Sequence, residues 1–123
     1  MTVVGIGVDL VEVDRMRATL ARTPALRDRL FTAGEQAYAE TAADPAQRYA
    51  ARFAAKEAAM KVLGVGLGKV DWHDIEVVRS DAGAPALRVS GRAHELAVDL
   101  GIRTWLVTLT HTDSMAEAVV LGQ

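Results

Sequence analysis

The alanine-rich segment from Pro45 to Gly64 constrains the fold of this chain more than any other stretch. Asp44 before it is a favoured N-cap residue, Pro45 suits the first position of a helix, and Gly64 suits the residue just past a helix end. Between these ends the sequence is apolar nearly all round, which is typical of a buried helix. The segment therefore predicts a long central helix against which the remaining elements pack.

Four charged residues interrupt this apolar segment, namely Arg52, Lys56, Glu57 and Lys61. Glu57 and Lys61 are four residues apart, so both project from one face of the helix. On a solvated surface such a pair contributes only about 0.3–0.5 kcal/mol. The neighbours on that face are small and would let another molecule come close: Ala50, Ala54 and Ala58. The spacing leaves two interpretations open, a solvated ion pair or an acid and a cation that serve a metal and a phosphate.

Length and composition limit the classes of protein to consider. With 123 residues, the chain has room for one domain with a core but not for two, so we expect a single domain over residues 1–123. The absence of cysteine excludes disulfides, thiolate metal sites and a cysteine nucleophile, and it suits a reducing cytoplasm. We expect neither a signal peptide nor a membrane span at the N-terminus. A net charge of −2 argues against general nucleic-acid binding.

The first predicted element is a buried strand within residues 1–13, where Val3 to Val8 is an almost continuous apolar run. Gly5 and Gly7 lie two residues apart, on the same face of a strand, where another group could approach the strand backbone closely. Asp9 ends the run, and an acid in that place has two interpretations. It could cap the helix that follows, or it could bind a cation or a substrate at the end of the strand.

Arginine is concentrated between Glu12 and Leu30, a segment predicted to be helical with a break at Thr23–Pro24, where Thr23 could cap a second short helix. The arginines outnumber the acids in this segment: Arg15, Arg17, Arg22, Arg27 and Arg29. Most arginines on helices only solvate a surface. A local excess of arginine on a mildly acidic chain also suits the electrostatic steering of an acidic partner, and the sequence leaves both interpretations open.

The rest of the chain predicts further helices and strands. Thr32 to Glu35 fits a capping box that opens a helix reaching about Ala42. The glycine-rich stretch Gly64 to Lys69 lacks the spacing and the Ser or Thr of a phosphate-binding P-loop, so we interpret it as a helix end followed by a flexible loop. Strands are predicted at residues 74–79, 87–89, 104–111 and 116–121, and a helix is predicted between Ser90 and Gly101.

Three motifs together indicate a family. The sequence reads Gly-Ile-Gly-Val-Asp at residues 5–9, Arg-Phe-Ala-Ala-Lys-Glu-Ala-Ala-Met-Lys at residues 52–61, and Leu-Thr-His-Thr at residues 109–112. In residues, order and separation these motifs resemble the holo-acyl-carrier-protein synthase family, a group of small 4′-phosphopantetheinyl transferases, and the resemblance covers essentially the whole chain. The chain departs from the family pattern at two positions. Val65 stands where many members carry a hydroxyl residue, and Met115 stands where an aromatic residue is common.

The resemblance implies an α+β fold in which a small antiparallel sheet packs on a long central helix, and a homotrimer with active sites between neighbouring subunits. It implies transfer of 4′-phosphopantetheine from coenzyme A to a serine of apo-acyl carrier protein, an acidic partner, with release of adenosine 3′,5′-bisphosphate. Asp9 and Glu57 would hold Mg²⁺, which commonly binds one or two carboxylates together with waters and substrate phosphates. Glu57 would also activate the serine hydroxyl, through a water, and Lys61 would neutralise or protonate the leaving phosphate.

The resemblance also assigns residues to the coenzyme and to the carrier. Besides Glu57 and Lys61, the residues expected at the coenzyme are Arg52, Phe53, Gly64, Gly66, Pro85, His111 and Thr112. Arg15 and Arg22 would meet the carrier. Two alternatives remain: a different small Mg²⁺-dependent phosphoryl enzyme, and a non-catalytic module that binds coenzyme A or a carrier protein. Neither gives a reason for an arginine-rich helix beside an acid–lysine pair, although the second explains the arginines alone.

Overall fold

The computed structural model describes residues 2–123. In chain order the elements are the strand β1 (Gly5–Glu12), the helices α1 (Val13–Arg22), α2 (Leu26–Leu30), α3 (Ala33–Glu40) and α4 (Pro45–Leu63), a 3₁₀ helix (Trp72–Asp74), the strands β2 (Ile75–Arg79) and β3 (Pro85–Val89), the helix α5 (Gly91–Leu100), and the strands β4 (Trp105–His111) and β5 (Met115–Gly122). This mixture of helices and strands confirms the predicted α+β class. Met1, within the segment predicted to hold the first strand, lies outside the described residues.

The central helix α4 begins and ends where the sequence predicts. Pro45 is its first residue, and Gly64 follows its last residue in the left-handed conformation, with φ 71°, that glycine adopts without strain. The Asp44 side chain does not cap this helix, which corrects the sequence-based expectation. It accepts a hydrogen bond from Arg17 at 2.6 Å instead, so the carboxylate joins α4 to α1.

Helix α4 is buried on most of its surface, as its composition predicts. It packs against β1, β4 and β5, and also against α1, α3, α5 and β2. Fully buried alanines allow this close approach from several sides: Ala50, Ala54, Ala55, Ala58 and Ala59. Within residues 2–123, neither this helix nor any other has the length and apolar character needed to cross a membrane. The apolar composition of α4 therefore reflects its place at the centre of the fold.

The sheet that packs on α4 is antiparallel, as predicted. Its three strands lie in the order β1–β5–β4, with Val8 opposite Val119 and Val119 opposite Thr108. A second antiparallel sheet contains β2 and β3, which form a hairpin. The chain therefore has two small sheets, and the larger one is formed by strands from its two ends.

Strand β1 lies so close to α4 that its Gly7 cannot carry a side chain. A Cβ atom there would overlap the main-chain carbonyl of Ala58. This confirms the prediction of a close approach on the glycine face of β1, and the approaching group is the main chain of α4. Asp9 follows Gly7 on the same face, because side chains alternate along a strand. The packing therefore brings the Asp9 carboxylate to the surface of α4.

The first residues of α1 and α2 differ from the sequence-based expectations. Glu12 occupies the N-cap position of α1, so Asp9 is not a helix cap. Ala25 precedes α2, and Thr23 contributes only its main-chain carbonyl, which accepts a hydrogen bond from the first amide of that helix. The predicted capping box at Thr32 is confirmed, although α3 ends slightly earlier than expected.

The face of the three-stranded sheet that points away from α4 is largely apolar and exposed. On β1 this outer sheet face carries Ile6, Val8 and Leu10, and Ile6 is 66% exposed. Ile6 lies opposite Leu121 on β5, which lies opposite Leu106 on β4, so these side chains form a row across the sheet. An exposed apolar surface of this kind is typical of a site of protein association.

Candidate functional site

Asp9 and Lys61 meet where β1 packs on α4. The side chain of Asp9 is 14% exposed and that of Lys61 is 56% exposed. The Lys61 ammonium donates a hydrogen bond to the Val8 carbonyl at 2.8 Å and lies 3.5 Å from a carboxylate oxygen of Asp9. Asp9 therefore pairs with a lysine of the chain, and of its two interpretations only the helix-cap one is contradicted by the structure.

Glu57 brings a second carboxylate to the same place. The side chain is partly buried, and this burial raises the pKa of Glu57; the nearby Asp9 carboxylate raises it further, and Lys61 opposes the rise. The pKa of Glu57 is raised because the Lys61 ammonium does not offset the combined effect of burial and of the one neighbouring acid, Asp9. In the described part of the chain, Lys61 forms its ion pair with Asp9, so the isolated surface pair Glu57–Lys61 is not what forms.

Asp9 and Glu57 line a pocket of about 550 Å³, which we call the carboxylate pocket. Arg15 lines it as well, and most of the remaining lining is apolar: Leu10, Val11, Met16, Leu30, Phe53 and Met115. The Phe53 ring stacks on Trp72, with 5.1 Å between the ring centroids. Apolar walls lower the local dielectric and so strengthen the attraction of paired acids for a cation.

Glu57 and Lys61 also border a smaller pocket beside the glycine-rich loop of residues 64–69, which we call the loop pocket. This pocket holds about 190 Å³, and its other lining residues are Met60, Val65, Gly66 and Leu67. Gly64 and Gly68 have φ values of 71° and 84°, a conformation that favours glycine. A Cβ atom at Gly66 would meet no heavy atom within 4 Å. The loop therefore leaves open space next to the Lys61 ammonium.

A third pocket, of about 260 Å³, is rich in arginine and is here called the arginine pocket. Arg48, Arg52 and Arg79 surround the ring of Tyr38, with their guanidinium carbons 4.0, 4.4 and 4.6 Å from its centroid. No aspartate or glutamate is among the residues that line this pocket. Three guanidinium groups without an acidic neighbour in the lining form a site suited to an anion such as phosphate.

Arg52 is the most buried of the three arginines in the arginine pocket. Arg52 is only 5% exposed, and burial lowers the pKa of its guanidinium group. Among the described residues, its Nε atom has no hydrogen-bond partner. A buried donor without a partner costs about 1–3 kcal/mol. Pro85 and His111 line the same pocket, so these three predicted coenzyme residues do come together.

The predicted site residues fall into separate groups. The carboxylate pocket and the loop pocket between them are lined by Asp9, Arg15, Phe53, Glu57, Lys61 and Gly66, whereas the arginine pocket is lined by Arg52, Pro85 and His111. Gly64, Thr112 and Arg22 line none of the three. The Thr112 hydroxyl accepts a hydrogen bond from the Met115 amide at 3.1 Å and stabilises the β4–β5 turn. One chain therefore does not bring all the predicted coenzyme residues to one pocket.

Several residues near the site were not predicted from the sequence to contribute to it. Lys56 and Glu35 form an ion pair with both side chains 0% exposed, and the signal was the lysine on an otherwise apolar helix. Tyr38, Arg48 and Arg79 come from α3, α4 and β2. Nothing in their spacing along the chain indicates that these three residues share a pocket.

Known proteins match both the sequence and the fold. The family model of the 4′-phosphopantetheinyl transferase superfamily matches residues 5–112. A holo-[acyl-carrier-protein] synthase of Frankia casuarinae is 50% identical over 123 residues, which covers 100% of this chain and 99% of that protein. The crystal structure of a holo-[acyl-carrier-protein] synthase from Neisseria meningitidis matches with a TM-score of 0.89 at 26% identity, over 99% of each chain. A Bacillus anthracis holo-(acyl-carrier-protein) synthase, solved in complex with CoA (3′,5′-ADP), matches with a TM-score of 0.81 at 31% identity, over 99% of this chain and 97% of that one.

Proposed function

This chain belongs to the 4′-phosphopantetheinyl transferase superfamily, and on that premise we propose that Asp9, Glu57 and Lys61 form its reaction centre. The chain is an enzyme that transfers 4′-phosphopantetheine from coenzyme A to a serine of apo-acyl carrier protein, which is the activity of a holo-[acyl-carrier-protein] synthase. One observation carries the assignment of the reaction centre: two carboxylates and an ammonium group meet beside the carboxylate pocket.

The reaction replaces one phosphate linkage by another. The serine oxygen of the carrier forms a bond to the phosphorus atom that bears pantetheine. The bond between that phosphorus and the bridging oxygen of the pyrophosphate breaks, and adenosine 3′,5′-bisphosphate leaves with the bridging oxygen. The serine proton passes to Glu57, the carboxylate that lines both the carboxylate pocket and the loop pocket. The nucleophile belongs to the carrier, so the chain itself needs no catalytic serine or cysteine.

Mg²⁺ is the metal that fits the acids of this site. Across residues 2–123, no group of three or more His, Cys, Asp or Glu side chains is arranged to hold a metal. Mg²⁺ does not need such a cage, because it commonly binds one or two carboxylates and takes its other ligands from waters and phosphates. Asp9 and Glu57 match that donor set, and a divalent cation would offset both the burial and the nearby Asp9 charge, which together raise the pKa of Glu57. When bound, the ion would polarise the phosphate oxygens of the coenzyme.

Lys61 supplies positive charge to the leaving phosphate. Its ammonium has one short hydrogen bond, to a main-chain carbonyl, and a longer contact with Asp9. The exposed side chain can therefore turn toward a phosphate in the loop pocket, which Lys61 and Gly66 both line. A fixed cation in that place stabilises the charge that develops on the displaced phosphate.

The arginine pocket suits the adenosine end of the coenzyme. Adenosine 3′,5′-bisphosphate carries a phosphate on the ribose in addition to the one at its 5′ end, and guanidinium groups bind phosphate through paired hydrogen bonds. Arg48 and Arg79 offer such donors, and Arg52 contributes an Nε atom that has no partner within residues 2–123. Pro85 and His111 form further parts of the same lining. An anion bound there would satisfy the buried donor of Arg52.

A homotrimer would bring the two halves of the coenzyme site together. Within one chain, the carboxylate pocket and the arginine pocket share no lining residue. The outer sheet face, with Ile6, Val8 and Leu10 exposed, supplies an apolar surface for association. A neighbouring subunit packed on this face would present its arginine pocket to the carboxylate pocket of the first subunit. The active sites would then lie between subunits.

Mixed assemblies test this arrangement. Arg52→Ala and Glu57→Gln should each be nearly inactive as pure proteins. Coexpression of the two variants should restore part of the activity, because some interfaces would pair an intact arginine pocket with an intact carboxylate pocket. Mixed trimers that are demonstrated by native mass spectrometry but remain as inactive as the pure variants would mean that each chain contains a complete site.

The carrier protein would dock along α1. Arg15 lines the carboxylate pocket, and Arg22 is an exposed residue seven positions later on the same helix. Seven residues correspond to nearly two full turns, so both side chains project from the same face. This face would meet the acidic carrier and direct its serine toward Asp9 and Glu57. We place the reaction in the cytoplasm, the reducing compartment that a chain without cysteine suits.

Mass spectrometry of the carrier tests the proposed function. The purified chain is incubated with coenzyme A, Mg²⁺ and an apo-acyl carrier protein, and the carrier should gain the mass of one phosphopantetheine group. A carrier whose acceptor serine is replaced by alanine is the matched control and should gain nothing. Hydrolysis of coenzyme A without any change in the carrier would indicate a different phosphoryl enzyme. Coenzyme binding with neither product would indicate a non-catalytic binding module.

A further inference from the structure

The ammonium group of Lys56 is completely enclosed by protein. The side chain is 0% exposed, and its Nζ atom lies 2.8 Å from a carboxylate oxygen of Glu35. The same ammonium donates hydrogen bonds to the carbonyls of Trp72 at 3.0 Å and Ile75 at 2.5 Å. An ammonium group has three donors, and here each has an acceptor. The charge of Lys56 is therefore fully used inside the protein.

Glu35 is satisfied to the same degree. One of its carboxylate oxygens accepts a hydrogen bond from the Thr32 amide at 2.9 Å and also contacts Lys56, and the other accepts a hydrogen bond from the Val77 amide at 2.9 Å. The pair thereby joins α3, α4, the 3₁₀ helix and β2. A buried ion pair is a poor source of net stability, since apolar residues of similar volume often serve as well. Beyond stability, the pair fixes how these four elements are oriented relative to one another.

Lys56 is linked to the reaction centre in two ways, through its neighbour Glu57 and through its bond to the Trp72 carbonyl. Lys56 directly precedes Glu57 in α4, so the anchor fixes the rotation of the helix next to the proposed proton acceptor. The bond to the Trp72 carbonyl holds the residue whose ring stacks on Phe53, and Phe53 lines the carboxylate pocket. The same bond fixes the far end of the segment that begins with the glycine-rich loop beside Lys61. Lys56 therefore helps to fix three features of the site: the rotation of α4 at Glu57, the position of the pocket wall at Phe53, and the position of the glycine-rich loop.

We propose that Lys56 is a positioning residue for the transfer reaction, which acts through Glu57, Phe53 and the glycine-rich loop without touching a substrate. The proposal rests on the proposed function, because it concerns the geometry of that reaction centre. A displacement of about 1 Å in an active site can lower the rate about a hundredfold. Loss of the Lys56 anchor is therefore expected to lower kcat even in molecules that remain folded.

The test compares Lys56→Met with a variant that is destabilised elsewhere. Ile102 is a buried core residue that follows α5, and Ile102→Ala serves as the control. Both variants are assayed at a temperature where circular dichroism shows each to be folded. Lys56→Met should lower kcat at least about tenfold, and by a larger factor than it raises KM for coenzyme A, whereas Ile102→Ala should leave both near wild type. A wild-type kcat in folded Lys56→Met would overturn the proposal and leave Lys56 a purely structural residue.

A second variant decides the matter if Lys56→Met does not fold. Trp72→Leu keeps the main-chain carbonyl that accepts the lysine bond and removes only the ring that stacks on Phe53. We expect a fall in kcat of roughly threefold to tenfold for this variant, within the range that misplaced active-site groups produce. An unchanged kcat would contradict the proposal. If the wild-type chain transferred no phosphopantetheine at all, the proposed function would fail instead, so the two failures are distinguishable.

Discussion

Two lysines of α4 carry the same charge in opposite surroundings. Lys56 is 0% exposed, and its ammonium is held by Glu35 and by two main-chain carbonyls. Lys61, five residues later, is 56% exposed and has a single short hydrogen bond, to a carbonyl of β1. Five residues rotate a helix by about 140°, so the two side chains lie on different sides of α4. A charge with all its partners fixes structure, whereas one with few partners is available to a substrate.

The two acids beside these lysines show the same contrast. The buried carboxylate of Glu35 has a donor at both oxygens and an ammonium group 2.8 Å away. Glu57 is also partly buried, but its neighbour is another acid, Asp9, and the pKa of Glu57 is raised. The negative charge of Glu35 is compensated by partners within the chain, whereas that of Glu57 is compensated only in part. A divalent cation would complete the second site in the way that Lys56 completes the first.

The largest expected effect comes from removing either acid of the reaction centre. Asp9→Asn and Glu57→Gln should each lower the transfer rate by about three orders of magnitude, because a bound metal contributes several kcal/mol to stabilising the transition state. Steady-state rates measured over a range of Mg²⁺ concentrations check this, and the metal requirement should rise in both variants. Circular dichroism controls for folding. A near-normal rate with a normal Mg²⁺ requirement would remove that acid from the site.

The next effect separates the two lysines. Lys61→Met should lower kcat by roughly 10²–10³-fold, since a fixed cation that stabilises developing charge has an effect of that size. Its thermal stability should change little, because the side chain is largely exposed. Lys56→Met should instead lose about 3–5 kcal/mol of folding stability, as expected when one partner of a buried pair is removed. If Lys61→Met shifted only the melting temperature and kept its turnover, Lys61 would only pair with Asp9 and would have no role in the reaction.

A smaller effect concerns pH and the incomplete compensation of Glu57. The pKa of this group is raised from 4.5 in the folded chain, so the folded state binds the proton more tightly than the unfolded state does. The resulting stability is fully present below pH 4.5 and is lost as the pH rises through the folded pKa. Melting temperatures are measured in the presence of a chelator as the pH is raised from 4.5, and they should fall more steeply with pH for wild type than for Glu57→Gln. Equal slopes would show that Glu57 has no raised pKa.

Most of the fold could be predicted because local signals specified it. Pro45 and Gly64 define the central helix, Thr32 forms the predicted capping box, and the alternation of β1 places its glycines against α4. The errors concern side-chain partners. Aspartate is a residue type that favours the N-cap position, but the Asp44 carboxylate accepts a hydrogen bond from Arg17 of a different helix. A contact between residues far apart in the chain leaves no periodic signal in the sequence.

The candidate site was predictable only in part for the same reason. Asp9, Glu57 and Lys61 stood out because each is charged within an apolar stretch. The partner of Lys56 is Glu35 on another helix, and Arg48 and Arg79 share the ring of Tyr38 only after three elements have packed. The family resemblance could name motif residues but could not show that Arg52 and Phe53, adjacent in α4, line different pockets.

The smallest expected effect concerns Arg15, an exposed charge on α1 that, unlike Lys61, forms no ion pair among residues 2–123. Arg15→Ala should raise KM for the apo-carrier by no more than about fivefold, because an exposed charge pair contributes about 0.2–1 kcal/mol. Affinity for coenzyme A should stay nearly unchanged. The wild-type KM should rise with salt, since exposed charges are screened over about 8–10 Å near physiological ionic strength, and Arg15→Ala should lose part of that dependence. Arg103→Ala, an exposed arginine that lines none of the three pockets, is the matched control and should follow wild type. Coincident salt curves for Arg15→Ala and wild type would mean that Arg15 only solvates the surface of α1.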